Sequence, residues 1–459
     1  MGSIRLSRSL KSFSRRFTEA GYDCYLVGGA VRNMLLEIPT DDFDIATNAK
    51  PDEVMRLFRR VIPTGIRHGT VTVLHRGLHM EVTTFRTESQ YGDSRRPDGV
   101  EFVGSIDDDL SRRDFTMNAV AVDCRTGEVI DPTGGMIDID RCLIRAIGDP
   151  GNRFSEDGLR LIRACRFAAQ LGFTIHPDTF DGIRTNLPAL RGVSPERIRD
   201  ELFKILASPV PSVGVLAMAE SGILAIVLPE LDACRGVEQK GFHRHDVFVH
   251  SLFASDAALA GDLEVRTSAL LHDIGKPIAK AIDDNGIITF HRHEEHSEYL
   301  ARKLLYSLKC PKAFTETVCH LIRHHMFHYE PSWTDAAIRR FVRRVTPEHL
   351  DKLFSLRSAD SAAISGHHPV FPASTEAQRE LRRRIDDELQ RFRAFSIRDL
   401  AVNGNILAQE AGVPKNREMG VVLNYLLEAI IDDPALNDRD RLVHIAKRFY
   451  ADRIRAPRN

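Results

Sequence analysis

The chain has 459 residues, with 63 Lys and Arg against 64 Asp and Glu and 43% hydrophobic residues; at about 150 residues per domain, that is room for about three domains with full apolar cores. A formal net charge of −1 exerts no overall pull on polyanions, so any grip on nucleic acid has to be local. Mean hydropathy is −0.23, and no apolar run approaches the roughly 18 residues of a membrane span, which argues against a membrane protein.

The opening segment, Met1 to Phe17, is basic but has no apolar core like that of a signal peptide, and reads as a first helix. Cys24-Tyr25-Leu26-Val27 is a short strand that runs into Gly28-Gly29, and Ala30 to Leu36 has helical spacing. Phe43 to Ala46, Thr70 to Leu74 and Met80 to Phe85 read as further strands. Residues 86–103 are polar, carry Gly and Pro, and predict a long loop. From about residue 155 the pattern turns helical, and residues 375–393 predict an exposed connecting helix. The seven Cys are scattered, and no pair is spaced Cys-x-x-Cys. This argues against a disulfide framework and a thiolate zinc site and points to a reducing cytoplasm.

Charge and histidine are unevenly placed. Between Arg141 and Arg199 there are ten Arg, no Lys and six acidic residues, a candidate phosphate-facing surface. Of 19 His, 11 fall between His243 and His328, which points to a metal-site domain.

Two constellations carry chemistry. In the first, Gly28-Gly29 lies between a strand and a helix, where backbone N–H groups can approach a phosphate. Asp42-Phe43-Asp44 then puts two carboxylates on one strand face. At about 7 Å spacing they repel unless a cation lies between them, and Mg²⁺ prefers such oxygen ligands together with phosphates. In the second, His250, His272-Asp273 followed by Ile274-Gly275-Lys276, His293, His325 and Asp360 are residue types that hold divalent metals. His296 is the alternative to His293, and His324 the alternative to His325.

The Gly-Gly turn with its paired aspartates resembles the nucleotidyltransferase signature of the DNA polymerase β superfamily. More closely, it resembles the bacterial-type tRNA nucleotidyltransferase and poly(A) polymerase family. Arg112-Arg113-Asp114-Phe115-Thr116 with Asn118 is similar to that family's ribose and triphosphate motif. Glu156-Asp157 with Arg160, Arg163 and Arg166 is similar to its base-recognition motif, and Pro195 to Leu206 resembles the helix that follows. Within a helix, Asp157 and Arg160 are i,i+3 neighbours, an acceptor and a donor fork on one face.

The resemblance implies an α+β protein, with a mixed α/β nucleotidyltransferase head followed by an all-α neck, body and HD domain. The expected boundaries are 1–140 for the head, 141–235 for the neck, 236–372 for the HD domain and 373–459 for a tRNA-binding tail. It implies addition of CCA from CTP and ATP to the 3′ end of tRNA. Asp42 and Asp44 would hold two Mg²⁺, with Glu81 as a third carboxylate. Gly28, Gly29, Arg32, Arg112, Arg113, Asp114, Asn118, Asp157, Arg160, Arg163 and Arg166 would contact the nucleotide. Residues 86–102 resemble the flexible loop of enzymes that add C. Poly(A) polymerases and CC-adding enzymes share several of these motifs. The His-Asp pattern resembles the HD phosphohydrolase superfamily, implying a divalent metal and a second, hydrolytic activity, or an enzyme that is chiefly such a hydrolase.

Overall fold

The structure is a computed structural model that describes residues 4, 6–66, 69–88, 100–102, 104–239, 244–365, 376–391 and 395–455. The chain forms two compact units, Met1–Ala233 with Leu304–Cys310, and Cys234–Lys303 with Pro311–Asn459. The segments expected as head and neck fall together in the first.

The first unit is built on a mixed sheet. Its strands are β1 (Tyr25–Val27), β2 (Asp42–Thr47), β3 (Val61–Gly65), β4 (Thr70–His75) and β5 (Leu78–Thr84). Two further short strands, β6 (Arg86–Glu88) and β7 (Val100–Phe102), pair antiparallel with each other, and β8 (Ala121–Asp123) and β9 (Val129–Ile130) complete the set. The order across the seven-stranded sheet is β3-β4-β5-β2-β1-β8-β9. Its neighbours run antiparallel except β2 and β5, which are parallel, with Asp44 opposite Glu81 and Asp42 opposite His79. A parallel pair needs a crossover, and here the chain passes through the helix Pro51–Leu57 and through β3 and β4 before returning as β5.

The loop expected over 86–103 is therefore shorter, since both its ends are paired backbone. Its middle, residues 89–99, lies outside the described residues. The expected first helix spans Arg8–Glu19 and is capped by Ser7, whose side chain accepts from the Leu10 N–H. It buries Leu10, Phe13 and Phe17, and the two rings pack on Phe58 at 4.7 and 5.4 Å.

Beyond the sheet, the unit is helical. The helix Leu159–Leu171 packs against Pro195–Leu206 and Pro211–Ser221. Pro stands near the start of each of the latter two, where its missing N–H costs nothing.

In the second unit, the helices Val247–Ala257, Leu263–Leu271, Lys312–His324, Asp335–Val345 and Leu350–Ser365 surround one apolar cluster. A smaller cluster gathers Gly404–Glu410, Arg417–Asp432 and the C-terminal helix Arg439–Arg455. The charged helix expected to be an exposed connector spans Glu376–Arg391, yet Leu381, Ile385 and Glu388 on it are buried. The reason is that these three, at i, i+4 and i+7, form one narrow stripe within a largely polar sequence, enough to seat one face. Asn416, at φ −134°, caps Arg417–Asp432, and Gly412 before it has a positive φ of 67°. No described helix is long and apolar enough to cross a membrane.

Arg339 fixes this unit internally. Both Arg339 and Glu388 are buried, and Arg339 Nη1 donates to Glu388 Oε2 at 2.7 Å. Its Nε donates to the Ile431 carbonyl at 2.6 Å and Nη2 to the Asp432 carbonyl at 3.1 Å. Removing one partner of a buried pair leaves a charge without compensation, at about 3–5 kcal/mol. Glu388→Ala is therefore expected to lower the urea midpoint of the transition reported by Trp333, the sole Trp of the chain, which packs on this unit's core. An unchanged midpoint would show that the Glu388 carboxylate is not needed to stabilise Arg339.

Candidate functional site

The first site lies at the edge of β1 and β2. Asp42 and Asp44 share a face of β2 by strand alternation, and the parallel register sets Glu81 beside Asp44. The sheet thus brings the three expected carboxylates together. Burial, with Asp42 and Glu81 nearby, pushes the Asp44 carboxyl up to about 6 against the pull of Arg113. Gly28 has φ 69°, and a Cβ there would stand 3.1 Å from Asp44 Oδ2 and 3.2 Å from Arg113 Nη1. Glycine is required both by the backbone angle and by the approach of the carboxylate. Gly29 opens the helix Gly29–Leu35.

Behind these carboxylates runs a buried polar chain. Arg32 Nη1 donates to Asn118 Oδ1 at 2.7 Å, and Asn118 Nδ2 donates to Asp114 Oδ1 at 3.0 Å. Asp114 Oδ2 pairs with Arg163 Nη2 at 2.6 Å, and Arg166 Nε lies 2.6 Å from Glu201 Oε2. Arg166 also stacks on Phe167 at 3.9 Å. Burial opposes the charge on Asp114, but Arg163, Asn118 and the Phe115 N–H outweigh it and hold the group at about 2. Burial lowers Arg32 and Arg166 to about 10 each, helped by neighbouring guanidinium groups. Arg112 and Arg113 both pair with Asp109, at 2.7 and 3.0 Å. The sequence reading missed Asp109 and Glu201; the i,i+3 and i,i+4 spacing of Asp109 to the two arginines was the available signal.

The expected pairing of Asp157 with Arg160 on one helix face is not what forms. One helix ends at Glu156, Asp157 is extended at φ −148° and ψ 105°, and the next helix begins at Leu159. The break falls at Asp157, while Gly158 is already helical at φ −59° and fits where the segments touch, since a Cβ there would stand 2.3 Å from the Ala189 carbonyl oxygen. Asp157 takes Arg197 as partner in a bidentate pair, at 2.7 and 3.2 Å, and its Oδ1 also accepts from the Leu159 N–H at 3.0 Å. Arg160 turns away, with Nη1 2.5 Å from Glu156 Oε2. Asp157 and Arg197 line a cleft of about 380 Å³ that also includes Glu156 and Arg191. The Arg-rich stretch is mostly not a free phosphate surface: Arg145, Arg153, Arg160, Arg163, Arg166, Arg197 and Arg199 each pair with a carboxylate.

The second site lies within the second unit. His250, His272, Asp273, His293, His325 and Asp360 are all buried and converge. His250 and His272 bring their Nε2 atoms to 3.3 Å, and Asp360 Oδ1 is 3.1 Å from His250 Nε2. His293 and His325 bring theirs to 3.3 Å. Asp273 joins the two groups, with Oδ2 3.2 Å from His272 Nε2 and Oδ1 3.2 Å from His293 Nε2. Two ligand triads, His250–His272–Asp273 and Asp273–His293–His325, share one carboxylate.

The backbone orients the rings. Nδ1 of His272, His293 and His325 stands 2.7–2.9 Å from the carbonyls of Ala269, Phe290 and Ile322, respectively. An N–H there leaves each Nε2 lone pair aimed inward, as a metal ligand requires. Burial above all keeps His325 neutral, with its pKa lowered to about 3. The geometry selects His293 and His325 from the histidines left open above. His296 is exposed, and His324 instead meets His320 edge-on, with ring centroids 4.6 Å apart. Lys276 Nζ, 2.6 Å from Asp273 Oδ2, and Arg357 Nη1, 2.8 Å from Asp360 Oδ2, were not singled out from the sequence, although Lys276 ends the quoted run. Both line a cavity of about 380 Å³ over the cluster.

Comparison with known proteins agrees with this division. The model described as Poly A polymerase head domain matches residues 24–145, and that described as Probable RNA and SrmB- binding site of polymerase A matches residues 172–235. The HD domain model matches residues 247–388. The protein is thus a nucleotidyltransferase with an HD domain. A CCA-adding enzyme of Geobacillus thermodenitrificans is 50% identical over 432 residues, 93% of this chain and 93% of that one. One of Ligilactobacillus salivarius is 32% identical over 442 residues, 96% of each. The crystal structure of the Bacillus stearothermophilus CCA-adding enzyme in complex with CTP aligns with a TM-score of 0.73 at 30% identity, covering 97% of this chain and 98% of that one. The chain belongs to the CCA-adding enzyme family.

The raised Asp44 carboxyl has a measurable effect. Below about pH 6 it carries a proton in the cation-free protein, and that proton competes with any cation. Mg²⁺ or Mn²⁺ affinity of the head is expected to be level above that pH and to fall about tenfold per unit below it. Calorimetric titration between pH 5 and 8 tests this, and a level affinity across the range would place the cation away from Asp44.

Proposed function

We propose that this enzyme adds CCA to the 3′ end of tRNA, taking CTP and ATP as substrates without a nucleic-acid template. The observation that carries the reading is the Asp44–Glu81 register across the parallel β2–β5 pair, with Asp42 on the same face and Gly28 against Asp44. Such a carboxylate cluster, with Asp44 raised to about 6 by burial and by Asp42 and Glu81, suits two Mg²⁺ held by Asp42 and Asp44 with Glu81 beside them. When bound, the ions neutralise the triphosphate and favour loss of a proton from the attacking 3′-hydroxyl.

The chain's own groups supply the positioning on which phosphoryl transfer depends. The Gly28-Gly29 backbone approaches the phosphates, with Arg112 and Arg113 as cations at the same edge. Arg32, Asn118, Asp114 and Arg163 are linked in turn, and Arg166 is held by Glu201, which makes them supports that fix the head against the base-reading segment. The 3′-hydroxyl oxygen attacks the α-phosphorus and pyrophosphate leaves. The residues 1–140 act as head, 141–235 as neck and 373–459 as tRNA-holding tail. We read 236–372 as a metal-dependent phosphohydrolase domain. The shared carboxylate of its two histidine triads favours that second activity, on a divalent metal of unassigned identity.

One experiment tests both readings. With tRNA lacking CCA, Mg²⁺ and labelled CTP and ATP, the wild type is expected to restore CCA. Asp42→Ala or Asp44→Ala is expected to abolish addition with the fold retained. Asp273→Ala is expected to leave addition largely unchanged and to remove metal-dependent hydrolysis of p-nitrophenyl phosphate. Normal addition by either head variant would overturn the first reading.

Base choice follows from acceptor geometry. Oδ1 of Asp157 already accepts two hydrogen bonds and Oδ2 one. One lone pair on Oδ2 remains for an exocyclic amine. CTP and ATP present an amine at the Watson–Crick edge, whereas UTP and GTP present a carbonyl oxygen. Two opposed acceptors cost about 1–3 kcal/mol, so Asp157→Ala should reduce the CTP-over-UTP ratio of kcat/KM by roughly 10- to 100-fold. An unchanged ratio would mean that the base is read elsewhere.

A further inference from the structure

We propose that the outer face of the N-terminal helix, with the segment after Phe58 and the β4–β5 turn, is a docking surface for the phosphate backbone of RNA. This inference rests on RNA being the substrate. Arg8, Lys11 and Arg15 lie along the exposed side of the helix Arg8–Glu19 at i, i+3 and i+7. Arg16 borders them, with Nη1 donating to the Leu57 carbonyl at 2.9 Å and the guanidinium 5.7 Å from the Phe58 ring. That contact continues the surface to Arg59 and Arg60, both exposed. The Arg60 carbonyl accepts from the Leu74 N–H at 3.0 Å, and Ser12 Oγ stands 3.3 Å from His75 Nε2, which brings the exposed Arg76 to the same side.

Two observations separate this face from an ordinary charged surface. Among the described residues, none of these seven cations has a carboxylate partner. In the neck of the same unit, by contrast, arginine after arginine is matched by an acid. The acids on these segments are few: Glu19 is exposed at the end of the helix, Asp52 is exposed on Pro51–Leu57, and Glu53 already accepts from the Lys50 N–H at 2.7 Å. The cations are therefore left for an anion from outside.

The class of anion follows from the helix. An amphipathic helix that lies on a membrane inserts its apolar face, but here Phe13 and Phe17 are wholly buried in the unit's own core. Only the cationic side is offered. From Arg8 to Arg15 it extends about 10 Å, the axial run of about three phosphates on one strand. The contact reads charge, not bases, and suits a substrate whose 3′ end changes by one nucleotide at each addition. None of these residues belongs to the carboxylate cluster, so the surface acts on RNA affinity and leaves the chemistry alone.

The test is Arg8→Gln, Lys11→Gln, Arg15→Gln and Arg59→Gln combined in the full chain, assayed with tRNA lacking CCA. The slope of log affinity against log salt is expected to become shallower by roughly 3, at about 0.7–0.9 per phosphate contact. KM for tRNA should rise about tenfold, with KM for CTP and kcat unchanged, which also reports an intact fold. The pair Lys11→Glu and Arg15→Glu should weaken tRNA binding further. An unchanged slope and an unchanged KM for tRNA in both variants would overturn the proposal. So would loss of binding to phosphatidylserine vesicles with the tRNA slope intact, which would assign the face to lipid. Failure of the wild type to extend tRNA while still binding it in a salt-dependent way would overturn the CCA-adding reading and leave this surface standing.

Discussion

Carboxylates on neighbouring strands repel one another, and the first unit is arranged around that repulsion. Asp42 and Asp44 share one sheet face by strand alternation, and the β2–β5 register sets Glu81 opposite Asp44 on that face. The two strands can run parallel because a helix and two strands cross over between them in the chain. Topology thus brings Glu81 beside Asp44 from far along the sequence, without help from any local motif. Arg113, which follows the helix Ile106–Ser111, is an opposing charge nearby, and it does not offset burial and the two acids. What the fold leaves uncompensated is a demand for cations at one defined place, and the glycine turn is shaped to meet the same carboxylate.

Arginine is used in two ways. In the neck it is a structural cation, held on acids that are themselves buried, such as Asp114 and Glu201. A planar guanidinium suits this, because it can satisfy a carboxylate with two parallel hydrogen bonds and still lie flat on Phe167. On the N-terminal helix it is a solvent-facing cation with no acid assigned to it. Composition alone cannot separate the two uses, since both count as positive charge.

The strands β1, β2, β4 and β5 and the helix after the Gly-Gly turn were legible because alternation and the turn are local signals, and they lie within a residue or two of the expected bounds, whereas β3, β8, β9 and the helix Pro51–Leu57 were not read. The histidine centre was legible as residue types, and the fold chose among adjacent histidines by aiming three Nδ1 atoms at carbonyls one turn back. The partners were not legible. Asp157 was read with Arg160 because three residues separate them, whereas the backbone is extended at Asp157 and Arg197 arrives from forty residues away. The close passage of Ala189 is a tertiary contact that leaves no mark on the sequence near Asp157 except Gly158, where no Cβ would fit. The helix Glu376–Arg391 misled in the same way, since the few residues that anchor it are outnumbered by charge.

The single carboxylate that joins the two histidine triads makes them one mechanical object. Asp273 cannot turn toward His250 and His272 without turning away from His293 and His325, because its two oxygens are rigidly joined. Lys276, holding Oδ2 from the side, acts as a stop on that rotation. The centre therefore has one torsional coordinate where two independent sites would have two, and any disturbance of Lys276 is transmitted to both halves at once.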